Sequence, residues 1–201
     1  MYIILMKITG GIFKGRKLPQ KIKKGVRPTA SKVREALFNI IGADINESSF
    51  LDLYAGTGVV GFEALARGAS HVVFVDRDID AIDKVIQSHK YSNCRAIKGE
   101  VHKVVNNFQG REQKFDFIYV DPPYESGEVD QVMPLLGQIL SIDGFVIVEH
   151  FHKKEILNNS QLEFVKTYRY GDTVLSLFKG FKGASPFAGF LRAEPLKGTF
   201  E

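Results

Sequence analysis

Leu51-Asp52-Leu53-Tyr54-Ala55-Gly56-Thr57-Gly58-Val59-Val60-Gly61 decides how the chain is read. An apolar strand-like run at 50–54 passes into Gly56-x-Gly58-x-x-Gly61 and then into a helix-like run at 59–67. A strand, a glycine turn and a helix in that order form the context of a nucleotide loop, because glycine lets backbone approach a ligand closely. Further strand-like runs lie at 71–75, 94–98, 115–120 and 144–149. Helix-like runs fall between them at 79–91, 101–108 and 128–140. This alternation predicts an α/β fold with a parallel sheet covered by helices. Two last runs, 162–170 and 173–181, flank Gly171-Asp172 and predict a hairpin, hence at least one antiparallel strand.

Upstream, residues 5–18 read as a short hairpin turning at Gly10-Gly11 and Gly15, and 19–28 as a basic linker ending in Arg27-Pro28. A helix is expected after the proline, capped by Thr29 or Ser31, with Val33, Ala36, Leu37, Ile40 and Ile41 on one face. The expected organisation is an amino-terminal hairpin and linker over 1–28, a main domain over 29–181, and a tail over 182–201, poorly ordered because it lacks a period.

Two acids decide what the glycine turn holds. Asp76 ends the second strand, where a carboxylate can accept both ribose hydroxyl protons. Asp52 lies four residues before Gly56 and would repel the pyrophosphate of a dinucleotide. It suits a cation instead. S-adenosyl-L-methionine carries an ammonium and a sulfonium and no phosphate, so the pattern favours it over NAD. The expected cofactor contacts are Asp52, Ala55, Gly56, Gly58, Asp76 and its neighbour Arg77, with Glu100 and Val101 after the next strand. Glu100 is placed either to approach adenine or to cap the helix that follows it.

Composition is that of a globular chain, 44% hydrophobic and 25% charged, with no apolar run near the roughly 18–20 residues of a membrane span. The start, Met1-Tyr2-Ile3-Ile4-Leu5-Met6, lacks a basic n-region, so no signal peptide is expected. A single cysteine, Cys94, excludes an internal disulfide and a cysteine metal cluster. His150 and His152 read as ordinary strand-end histidines ahead of a metal pair. A cytoplasmic protein without membrane or metal is expected. Charge is uneven: residues 1–40 hold ten bases and one acid, Glu35. Such density points to a polyanion. Lys14, Arg16, Lys17, Arg27 and Arg34 are the candidate nucleic-acid contacts.

Ile118-Tyr119-Val120-Asp121-Pro122-Pro123-Tyr124 carries the chemistry. It ends a strand at the edge where open α/β sheets bind ligands. An exocyclic amine on a base has a delocalised lone pair and needs acceptors for its N–H bonds. The Asp121 carboxylate and the Pro122 carbonyl can supply them, Pro123 stiffens the turn, and Tyr124 can stack on the base. Positioning then does much of the work.

Lys7-Ile-Thr-Gly-Gly-Ile-Phe-Lys-Gly-Arg-Lys-Leu18, Arg27-Pro-Thr-Ala-Ser-Lys-Val-Arg-Glu-Ala-Leu-Phe-Asn39, the 51–69 stretch and Asp121-Pro-Pro-Tyr124 together resemble the RsmD family of bacterial 16S rRNA guanine-N2 methyltransferases. The resemblance covers about residues 6 to 181 in order. It implies a Rossmann-like class I methyltransferase fold: a mostly parallel seven-stranded sheet with a C-terminal antiparallel hairpin and a small N-terminal β-hairpin extension. It implies methylation of one guanine, position 966, in a small subunit already partly assembled, by an enzyme expected to be a monomer. It also implies that Arg27 or Thr29 holds the carboxylate of the cofactor, with phosphate contact the alternative for Arg27. Residues 1–5 and the tail from Lys182 have no match in the pattern. The other readings are an amino methyltransferase on DNA adenine N6 or protein glutamine, a non-catalytic RNA-binding factor on the same fold, and an NAD enzyme.

Overall fold

A computed structural model describes residues 2–22, 31–123, 127–154, 156 and 161–180. Two strands, β1 (Tyr2–Lys7) and β2 (Lys17–Ile22), form a small antiparallel sheet. Then follow α1 (Ser31–Ile41), β3 (Ser49–Leu53), α2 (Val59–Ala66), β4 (His71–Asp76), α3 (Asp80–His89), β5 (Cys94–Lys98), α4 (Val101–Gln109), β6 (Phe115–Val120), α5 (Glu128–Leu136), β7 (Leu140–Phe151), β8 (Leu162–Tyr170) and β9 (Thr173–Gly180). The seven-stranded sheet has the order β5-β4-β3-β6-β7-β9-β8. The first five of these are parallel, and β9 runs antiparallel between β7 and β8. This is the mixed sheet expected from the sequence.

The inner strands are apolar on both faces because both faces are covered. On one side Phe50, Phe74, Phe117 and Ile147 pack with Leu37, Phe38, Phe62 and Ile82 from α1 to α3. On the other Leu51, Val73, Ile118 and Val146 pack with Val105, Phe108, Val132 and Leu136 from α4 and α5. Helix α2 is buried on all eight residues. It lies between the large sheet and the turn of the amino-terminal hairpin. A Cβ on Gly61 would stand 2.2 Å from the Phe74 ring, so this glycine sets how closely α2 approaches the sheet. On the outer side, the Ile12 amide donates to the Ala66 carbonyl at 2.7 Å. Gly11, at φ +68°, has the Ala66 carbonyl oxygen 1.7 Å from its missing Cβ.

Two boundaries differ from expectation. The hairpin strands extend beyond 5–18: Tyr2 pairs with Ile22 and Leu5 with Pro19. Basic residues masked the β2 period, and Pro19 is tolerated because a two-stranded ribbon has only edges. Residues Tyr2–Leu5, which have no counterpart in the family pattern, are thus strand. The run expected to be helical to 140 stops at Leu136; Gly137–Ile139 is a 3₁₀ turn and β7 starts at Leu140. Pro134 in the last turn of α5 carries no N–H for the helix ladder. The tail 182–201 lies outside the described residues.

Candidate active site

The carboxyl ends of β3, β4 and β6 bring the sequence candidates together. After Leu53 the chain turns sharply, with Tyr54, Gly56 and Gly58 at φ +60°, +53° and +74°. A left-handed tyrosine is uncommon and strained. Gly58 needs to be glycine twice over, because a Cβ there would also lie 2.9 Å from Ile82. Among the described residues, a Cβ on Gly56 would meet only the Tyr54 carbonyl oxygen, at 3.9 Å, so nothing described packs against the loop backbone there.

Asp76 ties this loop down. Its Oδ2 accepts from the Gly56 amide at 2.8 Å and its Oδ1 from the Asp78 amide at 2.9 Å. Each carboxylate oxygen has a second lone pair, so the group can still accept ribose hydroxyls. Asp52 is 2% exposed, which excludes a surface strand-end acid. Its Oδ2 accepts from the Gly61 amide at 2.9 Å. Burial, opposed by that amide and helped by Asp76, pushes its pKa up to about 7. A buried acid with a raised pKa favours a cation brought near it. An open glycine loop flanked by Asp52 and Asp76 fits a ligand with a diol and a cationic end. It does not fit a pyrophosphate.

The remaining cofactor candidates are spread around this loop. The Ala55 amide donates to Val75 across the turn at 3.1 Å. Arg77 is exposed and pairs with Glu128 at 3.1 Å, and the Tyr54 hydroxyl also hydrogen-bonds Glu128. Sequence reasoning missed this Tyr54–Glu128–Arg77 bridge, which joins the loops after β3 and β4 to the start of α5. Val101 opens α4 with its side chain in the core. Glu100 precedes it, and its side chain makes no cap hydrogen bond. It pairs instead with Lys103 at 3.0 Å, and that contact holds it below the usual carboxylate range. Of its two readings, the capping one therefore fails.

Asp121 stands at the end of β6, beside β3, with its amide 3.5 Å from the Leu53 carbonyl. Pro122 is buried and Pro123 exposed. Tyr124, Thr29 and Arg27 lie outside the described residues. Sequence reasoning also missed Tyr119 and Glu149. The buried Tyr119 hydroxyl donates to the buried Glu149 carboxylate in a very short hydrogen bond. The signal was present: Glu149 is an acid near the carboxyl end of an apolar strand, as Asp52 and Asp76 are.

One basic candidate is corrected. Arg34 is fully buried, so in this fold it does not reach a phosphate. Its Nε donates to Glu63 at 3.1 Å and its Nη2 to the Lys7 carbonyl at 2.7 Å. The basic segment was read by its charge, while the burial came from the opposite charge of Glu63 within the apolar helix α2. Lys14 and Lys17 are exposed. Arg16 is half-buried; its guanidinium lies 4.1 Å over Phe13 and donates to the Tyr91 hydroxyl at 2.9 Å. Both ring nitrogens of His150 are engaged, Nε2 with Ser176 at 2.8 Å and Nδ1 with the Phe151 carbonyl at 3.0 Å, which opposes the metal-pair reading.

Sheet order, glycine loop and the acid at the end of β6 define a class I methyltransferase fold, Rossmann-like with an antiparallel hairpin at one edge. Solved structures share it. The Escherichia coli protein yhhF superposes with a TM-score of 0.74 at 26% identity, covering 88% of this chain and 98% of that one. The Thermus thermophilus 16S rRNA N2 G1207 methyltransferase, solved with AdoMet and guanosine, superposes at 0.67 and 19% identity, over 90% of this chain and half of its own. The family model described as Conserved hypothetical protein 95 matches residues 6–179. The ribosomal RNA small subunit methyltransferase D of Haemophilus influenzae is 35% identical over 185 residues, covering 87% of this chain and 93% of its own. The chain belongs to that RsmD family.

Proposed function

We propose that this protein transfers a methyl group from S-adenosyl-L-methionine to the exocyclic N2 of a guanine in 16S rRNA, in the small subunit as it assembles in the cytoplasm. The observation that carries this is the placement of Asp121 beside the end of β3, which leads into the glycine loop, in a chain of the RsmD family. The cofactor supplies an electrophilic methyl on a sulfonium. Asp76 accepts its ribose hydroxyls, Asp52 faces its cationic end, and Gly56, Gly58 and Ala55 line its path. Glu100 and Val101 border the adenine, and Thr29 or Arg27 takes the carboxylate. Asp121 and the Pro122 carbonyl accept the two N–H bonds of the target amine. Tyr124 stacks on the base, a contact worth roughly 1–3 kcal/mol in nucleic-acid sites. Lys14 and Lys17, with Arg16 where its docking role leaves reach, meet phosphates. The enzyme acts as a monomer, with 1–28 as docking arm and 29–181 as catalytic domain.

Guanine suits this site chemically. Its N1–H and N2–H₂ edge is all donor, and Asp121 is an acceptor when ionised. The test is transfer of labelled methyl to small subunits lacking the modification, followed by nucleoside digestion. Label in N2-methylguanosine is expected. Label in N6-methyladenosine or in protein would overturn the choice of atom, and none in any substrate would overturn the activity.

A further inference from the structure

Glu149 has no part in the reading above, yet it lies on the target side of the site. Strands β6 and β7 are parallel and pair Val120 with Val148. The next residue of each chain is an acid, Asp121 and Glu149, so the two stand level on neighbouring strands roughly 4.8 Å apart. Alternation puts Tyr119 and Asp121 on one face, and Ile147, the pair of Tyr119, puts Glu149 on that face too. Asp52 pairs with Tyr119 from the other side. Three carboxylates therefore surround one phenol at the edge of the sheet. Burial first, then Glu149, Asp121 and Asp52, push the phenol well above its ordinary range, so Tyr119 remains a donor. Acids level on adjacent strands repel each other. That repulsion works against stability, and a glutamine would also offer Tyr119 an acceptor oxygen, though a weaker one.

Across the sheet the order is β4, β3, β6, β7. If ribose lies over β4 and the methionine end over β3, the acceptor base lies over β6 and β7. We propose that Glu149 is a positioning residue for methyl transfer: held by Tyr119 beside Asp121, its carboxylate sets the negative potential met by the acceptor nitrogen. This rests on the methyl-transfer reading above. In the step, the nitrogen lone pair forms the N–CH₃ bond and the S–CH₃ electron pair stays on sulfur. One positive charge passes from sulfur to nitrogen, and the surplus N–H proton then leaves to solvent. A fixed anion on the nitrogen side favours that displacement of charge and needs no contact with the base.

The test needs no RNA. S-adenosylhomocysteine has a neutral sulfur at the transfer position, whereas sinefungin has a protonated amine there. Calorimetry on the wild-type protein and on Glu149→Gln gives the preference for sinefungin over S-adenosylhomocysteine. Glu149→Gln should lower that preference about tenfold, the scale of one partly screened charge a few ångströms away. S-adenosylhomocysteine affinity and melting temperature should hold. Glu149→Asp should restore part of the preference, and Tyr119→Phe, which keeps the charge, should lower it less than Glu149→Gln does. An unchanged ratio in Glu149→Gln, or equal loss of both ligands, would overturn the proposal. Methyl transfer to small subunits is measured separately, so failure of the wild-type protein there would strike the substrate reading and leave the ratio to judge Glu149.

Discussion

Glu63 and Asp52 are both buried acids, one in α2 and the other on the strand beneath it, and their surroundings are opposite. Glu63 is 0% exposed and accepts four hydrogen bonds, from the Thr9 amide at 2.8 Å, the Thr9 hydroxyl at 2.6 Å, Arg34 at 3.1 Å and Arg67 at 3.0 Å. Two guanidinium groups neutralise it. Asp52, among the described residues, has the Gly61 amide, with Asp76 adding repulsion. A buried acid saturated with donors belongs to the scaffold, since it stitches the hairpin, α1 and α2 together. A buried acid with a sparse shell and a raised pKa costs the fold stability and is explained by a ligand that arrives later.

The sharpest way to separate the two regions is to strike each in turn. Asp121→Ala should cut methyl transfer by about 10³-fold or more, the loss of a directed charged acceptor in a transition state. Cofactor affinity by calorimetry should stay within about threefold, and a near-normal rate would remove Asp121 from the chemistry. Glu63→Ala strikes the scaffold. It strands the buried Arg34 and the partly buried Arg67 and should cost about 3–5 kcal/mol in denaturant unfolding, the range for a broken buried pair. A loss below about 1 kcal/mol would show that the hub is ornamental.

Asp52→Asn should do the reverse of Glu63→Ala. Because the folded-state pKa of Asp52 is raised from 3.8 to about 7, its contribution to stability is complete below pH 3.8 and fades as pH rises through 7. The variant should therefore flatten the fall in stability between those values and be about 2 kcal/mol more stable at neutral pH without cofactor. It should also bind S-adenosylmethionine about tenfold less tightly, the scale of one charge contact. A less stable Asp52→Asn protein would break the contrast with Glu63. The smallest effects belong to the surface. Lys14→Ala and Lys17→Ala should each reduce the slope of log affinity for rRNA against log salt by about 1, with the melting temperature unmoved. Unchanged slopes would take the hairpin out of RNA contact.

Much of the architecture was legible because period and punctuation agree. The strand at 115–120 and the Gly171-Asp172 hairpin could be read directly, and the glycine loop announced its neighbours Asp52 and Asp76. What escaped were pairings across the sheet. Arg34 looked like a surface base because its helix was read for the apolar face alone; Glu63, 29 residues away, reverses that reading. Tyr119 looked like one more apolar strand residue, and Glu149 gains meaning only once β6 and β7 are known to be neighbours. Periodicity reports which face a residue takes. It does not report which strand lies alongside.

The turn of the amino-terminal hairpin docks on Ala66, the last residue of α2, whereas the glycine loop precedes the first. Eight helical residues separate them, about 12 Å at 1.5 Å per residue. Clamped at both ends, α2 is a gauge block. On the proposed methyl transfer, anything bound at the hairpin tip would be held at a set distance from the carbon that moves, so that position along a substrate would be measured as well as its chemistry.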